Sequence, residues 1–348
     1  GGISMLGVVK TARGKGNVEV REVAERSPGP GEVKIAVRNA GICGTDLHIY
    51  HDHFMSNPPV VMGHEFCGEV TEVGRGVTAY APGDRVTCET AAQTCGRCRF
   101  CRRGDYNLCN DRLGFGYGVD GAFTNFVIAR QALLHRLPDN VDFIAGALTE
   151  PLACAVHGVI HLTRVQAGDV VVVTGPGPIG LMVAQVAKAE GGCVILLGTS
   201  RDAARLKVAR NLGLAGVMNL DEEDAVSFVR ELTGGFGADV VFESAGAPPA
   251  AGLLLDLVRK AGKFTQVGLM GRPFEIDWEQ IAYKEVQVTG MFSHNWWDWE
   301  RALDLLGQGK VDPRAIVSSR VPITEWKTSF ERLEAAEEVK VLLHPVED

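Results

Sequence analysis

Four cysteines stand in one short stretch as Cys95-x2-Cys98-x2-Cys101-x7-Cys109, within a loop that also carries Gly and Arg. Four thiolates this close can surround one tetrahedral zinc at about 2.3 Å each and close the site to solvent, which is the pattern of a structural metal. A disulfide pair and an iron–sulfur cluster are the competing uses of such a set. The spacing favours zinc. No basic helix follows the cysteines, so the loop reads as a rigidified lobe and not as a nucleic-acid-binding module.

A second set is dispersed. Cys43 lies in Gly41-Ile42-Cys43-Gly44-Thr45-Asp46-Leu47-His48, and His64 and Glu65 lie in Gly63-His64-Glu65. One thiolate, one imidazole and one carboxylate leave a fourth position open for substrate or water, as a catalytic zinc requires. Either segment alone is weak, because a single buried Cys or His is more often packing than ligand. Their joint presence beside a four-cysteine loop is what gives them weight.

The third constellation is Gly175-Pro176-Gly177-Pro178-Ile179-Gly180, directly after the apolar run Val170 to Val173. In that context the glycines allow a tight turn and let a pyrophosphate approach a helix N-terminus, with Pro178 suited to the first helical turn. An NAD site usually ends its next strand with Asp or Glu. Here the strand ends Leu197-Gly198-Thr199-Ser200-Arg201, without a carboxylate. Ser200 can donate to a 2′-phosphate, and Arg201 and Arg205 supply charge, so NADP is expected with NAD possible. A register shift of one or two residues would bring Asp202 to the ribose and favour NAD.

These residues need two scaffolds. Residues 5 to about 90 alternate in short β-branched stretches, such as Glu32 to Val37 and Glu69 to Val73, and predict half-buried antiparallel strands. From about residue 165 strands alternate with helices. The strands are expected at Val170–Val173, Val194–Leu197, Ala238–Glu243 and Lys263–Val267. The helices are expected at Ile179–Glu190, Asp202–Leu212, Glu222–Leu232 and Pro249–Val258. That repetition predicts a doubly wound parallel sheet. A helix over Trp299 to Leu306 and an apolar tail from Val339 to Leu343 complete the chain. With 348 residues, two cores are expected.

A net charge of −8 argues against nucleic acid and acidic membrane surfaces as partners and leaves small molecules. No apolar run reaches the roughly 18 residues that span a bilayer, no secretion signal is legible, and nine cysteines without a disulfide pattern suit a reducing cytoplasm. Gly1, Gly2, Ile3 and Ser4 precede Met5 and read as the remnant of an expression tag. Cys67, Cys88, Cys154 and Cys193 read as buried fillers, and His51, His53 and His157 receive no role.

From Gly7 to Pro345 the chain resembles the zinc-dependent medium-chain alcohol and polyol dehydrogenases. The resemblance rests on Cys43-Gly44-Thr45-Asp46-x-His48, Gly63-His64-Glu65, the cysteine loop and Gly175 to Gly180. It implies a GroES-like, mainly antiparallel catalytic domain at residues 5–155 and 293–348, with a Rossmann domain at 156–292 between. It implies two zinc ions per chain, Cys43, His64 and Glu65 holding the catalytic one as in the sorbitol and threonine dehydrogenase branch. Glu150, in Thr149-Glu150-Pro151-Leu152, matches a carboxylate expected to bind that zinc in one state or to hold a water beside it. Thr45 and His48 match a proton relay from substrate to surface.

Tyr50 and Phe115 fall where that branch lines its substrate pocket. Ser293 and His294 stand where sorbitol dehydrogenases place an Arg and an aromatic hydroxyl, so sorbitol itself fits poorly. Trp296, Trp297 and Trp299 narrow the pocket, fill a core or pack a subunit contact. The expectation is a homotetrameric oxidoreductase moving hydride between a small secondary alcohol, such as a polyol or sugar alcohol, and NAD(P). An L-threonine or simple secondary-alcohol dehydrogenase is the alternative. A nicotinamide-binding protein with structural zinc alone is a further one.

Overall fold

The computed structural model describes residues 4 to 346. Gly1, Gly2 and Ile3 lie outside the described residues, and Ser4 opens the first strand opposite Ala24. The chain divides into two compact units, one ending at Glu150 and resuming at Asn295, the other running from Pro151 to His294. Both divisions fall a few residues from the expected 155/156 and 292/293, the first of them inside the helix Thr149–Val156.

The first unit begins with strands β1 (Ser4–Lys10), β2 (Val18–Ala24), β3 (Glu32–Gly41), β4 (Val60–Val61), β5 (Glu65–Val73), β6 (Arg85–Cys88), β7 (Phe126–Arg130) and β8 (Leu134–Arg136). Its centre is β3, where Val33, Ile35 and Val37 alternate into the core, the period of two that a pleated strand imposes. β3 pairs antiparallel with β5 and β7. β5 continues to β6 and β8, while β2, β1 and β4 form a small separate sheet. Each fully buried Val or Ile contributes about 1.5–3 kcal/mol relative to exposure.

The second unit holds β9 (Val170–Thr174), β10 (Cys193–Gly198), β11 (Gly216–Asn219), β12 (Ala238–Glu243), β13 (Val258–Gln266) and β14 (Gln287–Gly290). They form one sheet ordered β11-β10-β9-β12-β13-β14, with every pair parallel. Val171, Val172 and Val173 are all buried, as a strand covered by helices on both faces must be. The strand order reverses between β9 and β12, which is where an open sheet of this kind leaves a crevice for a ligand. Two strands escaped sequence reasoning, β11 and β14, because Gly216-Val217-Met218-Asn219 and Gln287-Val288-Thr289-Gly290 are short and carry few apolar residues. The π-helical run His157–Thr163 was also missed.

The chain then returns to the first unit through the helix Trp296–Gly307 and strands β15 (Val317–Pro322) and β16 (Lys340–His344). β16 lies antiparallel to β3, with Leu342 opposite Gly41 and Leu343 opposite Ala40, which places the apolar tail inside the larger sheet between β15 and β3. His135 on β8 ties the returning helix down. Its Nε2 is 2.9 Å from Glu89 Oε1, its Nδ1 meets Glu300, and its ring stacks on Trp299 at 5.7 Å. Burial opposes charge on His135, but the two carboxylates outweigh it and raise its pKa.

Candidate active site

Cys43 ends the loop after β3 and caps the helix Gly44–Tyr50, accepting Thr45 N–H at 3.5 Å. Asp46 answers from inside that helix, its Oδ2 accepting Cys43 N–H at 2.8 Å, so thiol and carboxylate close a capping box and fix each other. Glu65 opens β5, and His64 directly precedes it. Gly63, at φ 95°, turns the chain so that His64 and Glu65 enter β5 with both side chains buried. One donor atom each from Cys43, His64 and Glu65 lies within 4.8 Å of the others.

The surroundings of this cluster are charged. Asp46 Oδ1 stands 3.8 Å from His64 Nδ1. Burial pushes the Asp46 carboxyl up to about 6, opposed by the imidazole. For His64, burial opposes charge, yet Asp46, Cys43 and Glu150 overcome it and raise the pKa well above the ordinary value. Thiolate and carboxylates thus converge on a place that favours positive charge, and the donors are one sulfur, one nitrogen and one oxygen. That set fits zinc with a position to spare.

Lys340, on β16, supplies the fixed cation. Its ammonium pairs with Glu65 and donates to the Ile42 carbonyl at 2.8 Å, and both side chains are 1 % exposed. Sequence reasoning gave neither Lys340 nor Asp46 a role. The signal for Lys340 was a lone charge in Val339-Lys340-Val341-Leu342-Leu343, since an unpaired lysine is rarely buried. Glu150 accepts from Thr90 Oγ1 at 3.4 Å and adds negative charge felt by both His64 and Lys340. It is not among the three residues of the tight cluster.

Thr45 and His48 lie three residues apart on one helix, hence on one face. His48 reaches the surface. Partial burial, with His53 and His51 close by, lowers its pKa, so the ring is neutral near pH 7. The residues expected to line the pocket have these surroundings. Phe115 packs on Phe66 at 5.9 Å in the core, and Tyr50 packs on Trp326 and Phe330. The aromatic beside His64 is Tyr117, edge-on at 6.2 Å, its hydroxyl accepting from Arg112 at 2.6 Å. Ser293 is held at φ 58° and His294 is 1 % exposed, both at the end of the second unit.

The four-cysteine set gathers as the spacing predicts, with Cys95, Cys98, Cys101 and Cys109 all within 4.8 Å by sulfur. Backbone N–H groups aim at the sulfurs, Cys98 to Cys95 at 3.3 Å and Cys101 to Cys98 at 3.4 Å. The N–H groups of Arg97 and Cys98 bring the Cys95 thiol down to about 6, whereas burial and neighbouring thiols push Cys101 up to about 12. One cation at the centre would relieve that conflict by holding all four as thiolates.

At the end of β9, Gly175 takes φ 86°, and a Cβ there would sit 2.5 Å from Ala245 N. A Cβ on Gly177 would meet nothing within 4 Å, so the backbone there faces open space. Gly177 also precedes the helix Pro178–Ala189 without any side chain capping its first N–H groups. Uncapped donors, open space and the strand-order reversal make the cradle a pyrophosphate needs. Ile179 and Gly180 complete that turn.

Two family models match, an alcohol dehydrogenase GroES-like domain over residues 29–139 and a zinc-binding dehydrogenase over residues 178–308. A sorbitol dehydrogenase of Halalkalibacterium halodurans is 47 % identical over 99 % of this chain and 100 % of its own. The chain belongs to the zinc-binding medium-chain alcohol dehydrogenases. Within that family, a D-arabitol-phosphate dehydrogenase of Enterococcus avium is 38 % identical over 98 % of this chain and 97 % of its own. An L-threonine 3-dehydrogenase of Rhizobium rhizogenes follows at 34 % over 90 % and 91 %. Among solved structures, a zinc-binding dehydrogenase of Sinorhizobium meliloti bound to NADP superposes with TM-score 0.91 at 34 % identity, covering 99 % of this chain and 100 % of its own. As a member of this family, the protein is an NAD(P)-dependent alcohol dehydrogenase.

Proposed function

We propose that this dehydrogenase oxidises a secondary hydroxyl of a small polyol or sugar alcohol, reversibly, with NADP preferred over NAD. The observation that carries the reading is the convergence of Cys43, His64 and Glu65 within 4.8 Å, beside Asp46 and Lys340. Those three would hold the catalytic zinc, and Cys95, Cys98, Cys101 and Cys109 a structural one. Zinc, when bound, supplies a Lewis acid that polarises the substrate oxygen. Asp46 orients the His64 ring, and Lys340 holds Glu65. Thr45 and His48 carry the alcohol proton toward the surface, and the lowered pKa of His48 suits it to accept. Glu150 lends negative charge near the same centre.

The polyol class is supported by the relatives named for sorbitol and arabitol phosphate, which are more similar to this chain than the threonine enzyme. Ser200, Arg201 and Arg205 support NADP, as does the NADP-bound structural relative. Cytoplasmic location and a homotetramer complete the proposal. Among the described residues no helix is long and apolar enough to cross a membrane, and light scattering tests the assembly. Metal analysis should find about two zinc ions per chain; a single one would favour a nicotinamide-binding protein without catalysis. The decisive assay follows reduced-cofactor absorbance with polyols, polyol phosphates, L-threonine and simple secondary alcohols, each with NADP and NAD. Turnover confined to L-threonine or to simple alcohols would overturn the polyol reading.

A further inference from the structure

The nucleotide site contains a carboxylate that the motif reading does not use. β10 and β11 run parallel with Gly198 opposite Asn219, so the loops leaving their C-terminal ends meet. Asp221 Oδ2 accepts the Ser200 N–H at 2.7 Å, and the Ser200 hydroxyl also bonds to that carboxylate, which these bonds hold below its usual pKa. Asn219 Nδ2 donates to Ser200 Oγ at 3.0 Å, and Asn219 Oδ1 accepts Asp221 N–H at 3.0 Å. Ser200, Asn219 and Asp221 therefore form a closed set of hydrogen bonds.

Asp202, the carboxylate nearest in sequence to the expected ribose position, is turned elsewhere. It accepts Thr199 N–H at 3.0 Å and Thr199 Oγ1 at 3.2 Å, and its other oxygen lies 3.7 Å from Arg205. Asp221, a residue of the neighbouring strand's loop, is the acid that takes the donors of Ser200.

A 2′-phosphate at the end of β10 needs those donors and must shed them from Asp221 or sit beside its negative charge. A 2′-hydroxyl has the opposite requirement, since it can donate to a carboxylate. We infer that Asp221 is a specificity-determining residue for the cofactor, its carboxylate competing with a 2′-phosphate for Ser200 and opposing the pull of Arg201 and Arg205 toward NADP. The inference rests on the reading of Gly175 to Gly180 as the dinucleotide site.

The test is equilibrium binding, without turnover, of NADP+, NAD+ and 2′,5′-ADP by calorimetry to wild type, Asp221→Asn, Asp221→Ser and Ser200→Ala with and without Asp221→Asn. Releasing one charge-assisted set of donors is worth about tenfold in affinity. Asp221→Asn should tighten NADP+ and 2′,5′-ADP by about that factor, while NAD+ should not tighten and should weaken wherever its 2′-hydroxyl donates to the carboxylate. In the Ser200→Ala background the gain should shrink, because the contested donor hydroxyl is gone. Asp221 is exposed, so thermal melts should coincide with wild type, and Asp221→Ser checks that the effect follows the lost charge. If Asp221→Asn weakens both dinucleotides, or alters both equally, the assignment is overturned while the dinucleotide site stands. Wild type binding neither NAD+ nor NADP+ would overturn the site reading itself.

Discussion

Replacing Lys340 with Met removes the ammonium that pairs with Glu65 and donates to the Ile42 carbonyl at 2.8 Å, while nearly preserving volume. Both side chains of the pair are 1 % exposed, so water cannot rehydrate the carboxylate left behind. Breaking such a pair from one side costs about 3–5 kcal/mol. For a unit of this size, each kcal/mol lowers Tm by about 2–4 °C, so metal-depleted Lys340→Met should melt about 6–20 °C below wild type. Zinc returns a cation to Glu65. With zinc bound, the remaining loss is roughly the Ile42 hydrogen bond, about 1 kcal/mol and a few degrees. Scanning calorimetry with and without added zinc should therefore show a larger zinc-induced rise in Tm for the variant than for wild type, and Lys340→Arg should restore wild-type behaviour. Equal losses in both conditions would refute the charge argument and leave Lys340 a packing residue.

Asp46→Asn keeps the capping bond to Cys43 but removes the charge facing His64, and should weaken zinc binding at this site about 10- to 100-fold in chelator competition. His48→Gln should slow alcohol oxidation most near neutral pH, with added buffer base restoring part of the rate. In wild type the acceptor form of His48 persists to a pH below the ordinary 6.5, so the acid limb of the rate profile lies there and should be lost in the variant. Cys98→Ser should lower zinc content by about one ion per chain and reduce Tm, while the Cys43 site still binds zinc in spectroscopy with cobalt. His135 has a raised folded pKa, so its contribution to stability is complete below the unfolded 6.5 and is lost as pH rises through the folded value. Wild-type Tm should thus fall over that window, and His135→Gln should show a flatter profile.

The cysteine cluster and the glycine turn were legible because the geometry that metal and pyrophosphate recognition require is local. Cys95 to Cys109 must sit within one loop to enclose one ion, and Gly175 to Gly180 must turn within one residue pair of a strand end, so spacing carried most of the geometry. The parallel sheet was legible for a similar reason, since Val170 to Val173 is buried on both faces and shows it as an unbroken apolar run. What decided the rest was register between distant strands. β16 brings Lys340 beside Glu65 because Leu342 pairs with Gly41, and β11 brings Asp221 beside Ser200 because Asn219 pairs with Gly198. Neither pairing leaves a trace in local sequence. Phe115 and Tyr117 lie two residues apart, yet one packs in the core against Phe66 and the other beside His64, a division that local sequence does not show. In both units strand register delivers the charges beside the motif residues: the buried ammonium of Lys340 on Glu65, the proposed metal ligand, and the Asp221 carboxylate on Ser200, the proposed cofactor donor. Relatives that share the motifs are therefore expected to differ in metal affinity and cofactor choice at the positions of Lys340 and Asp221, whose partners are set by strand register and not by local sequence.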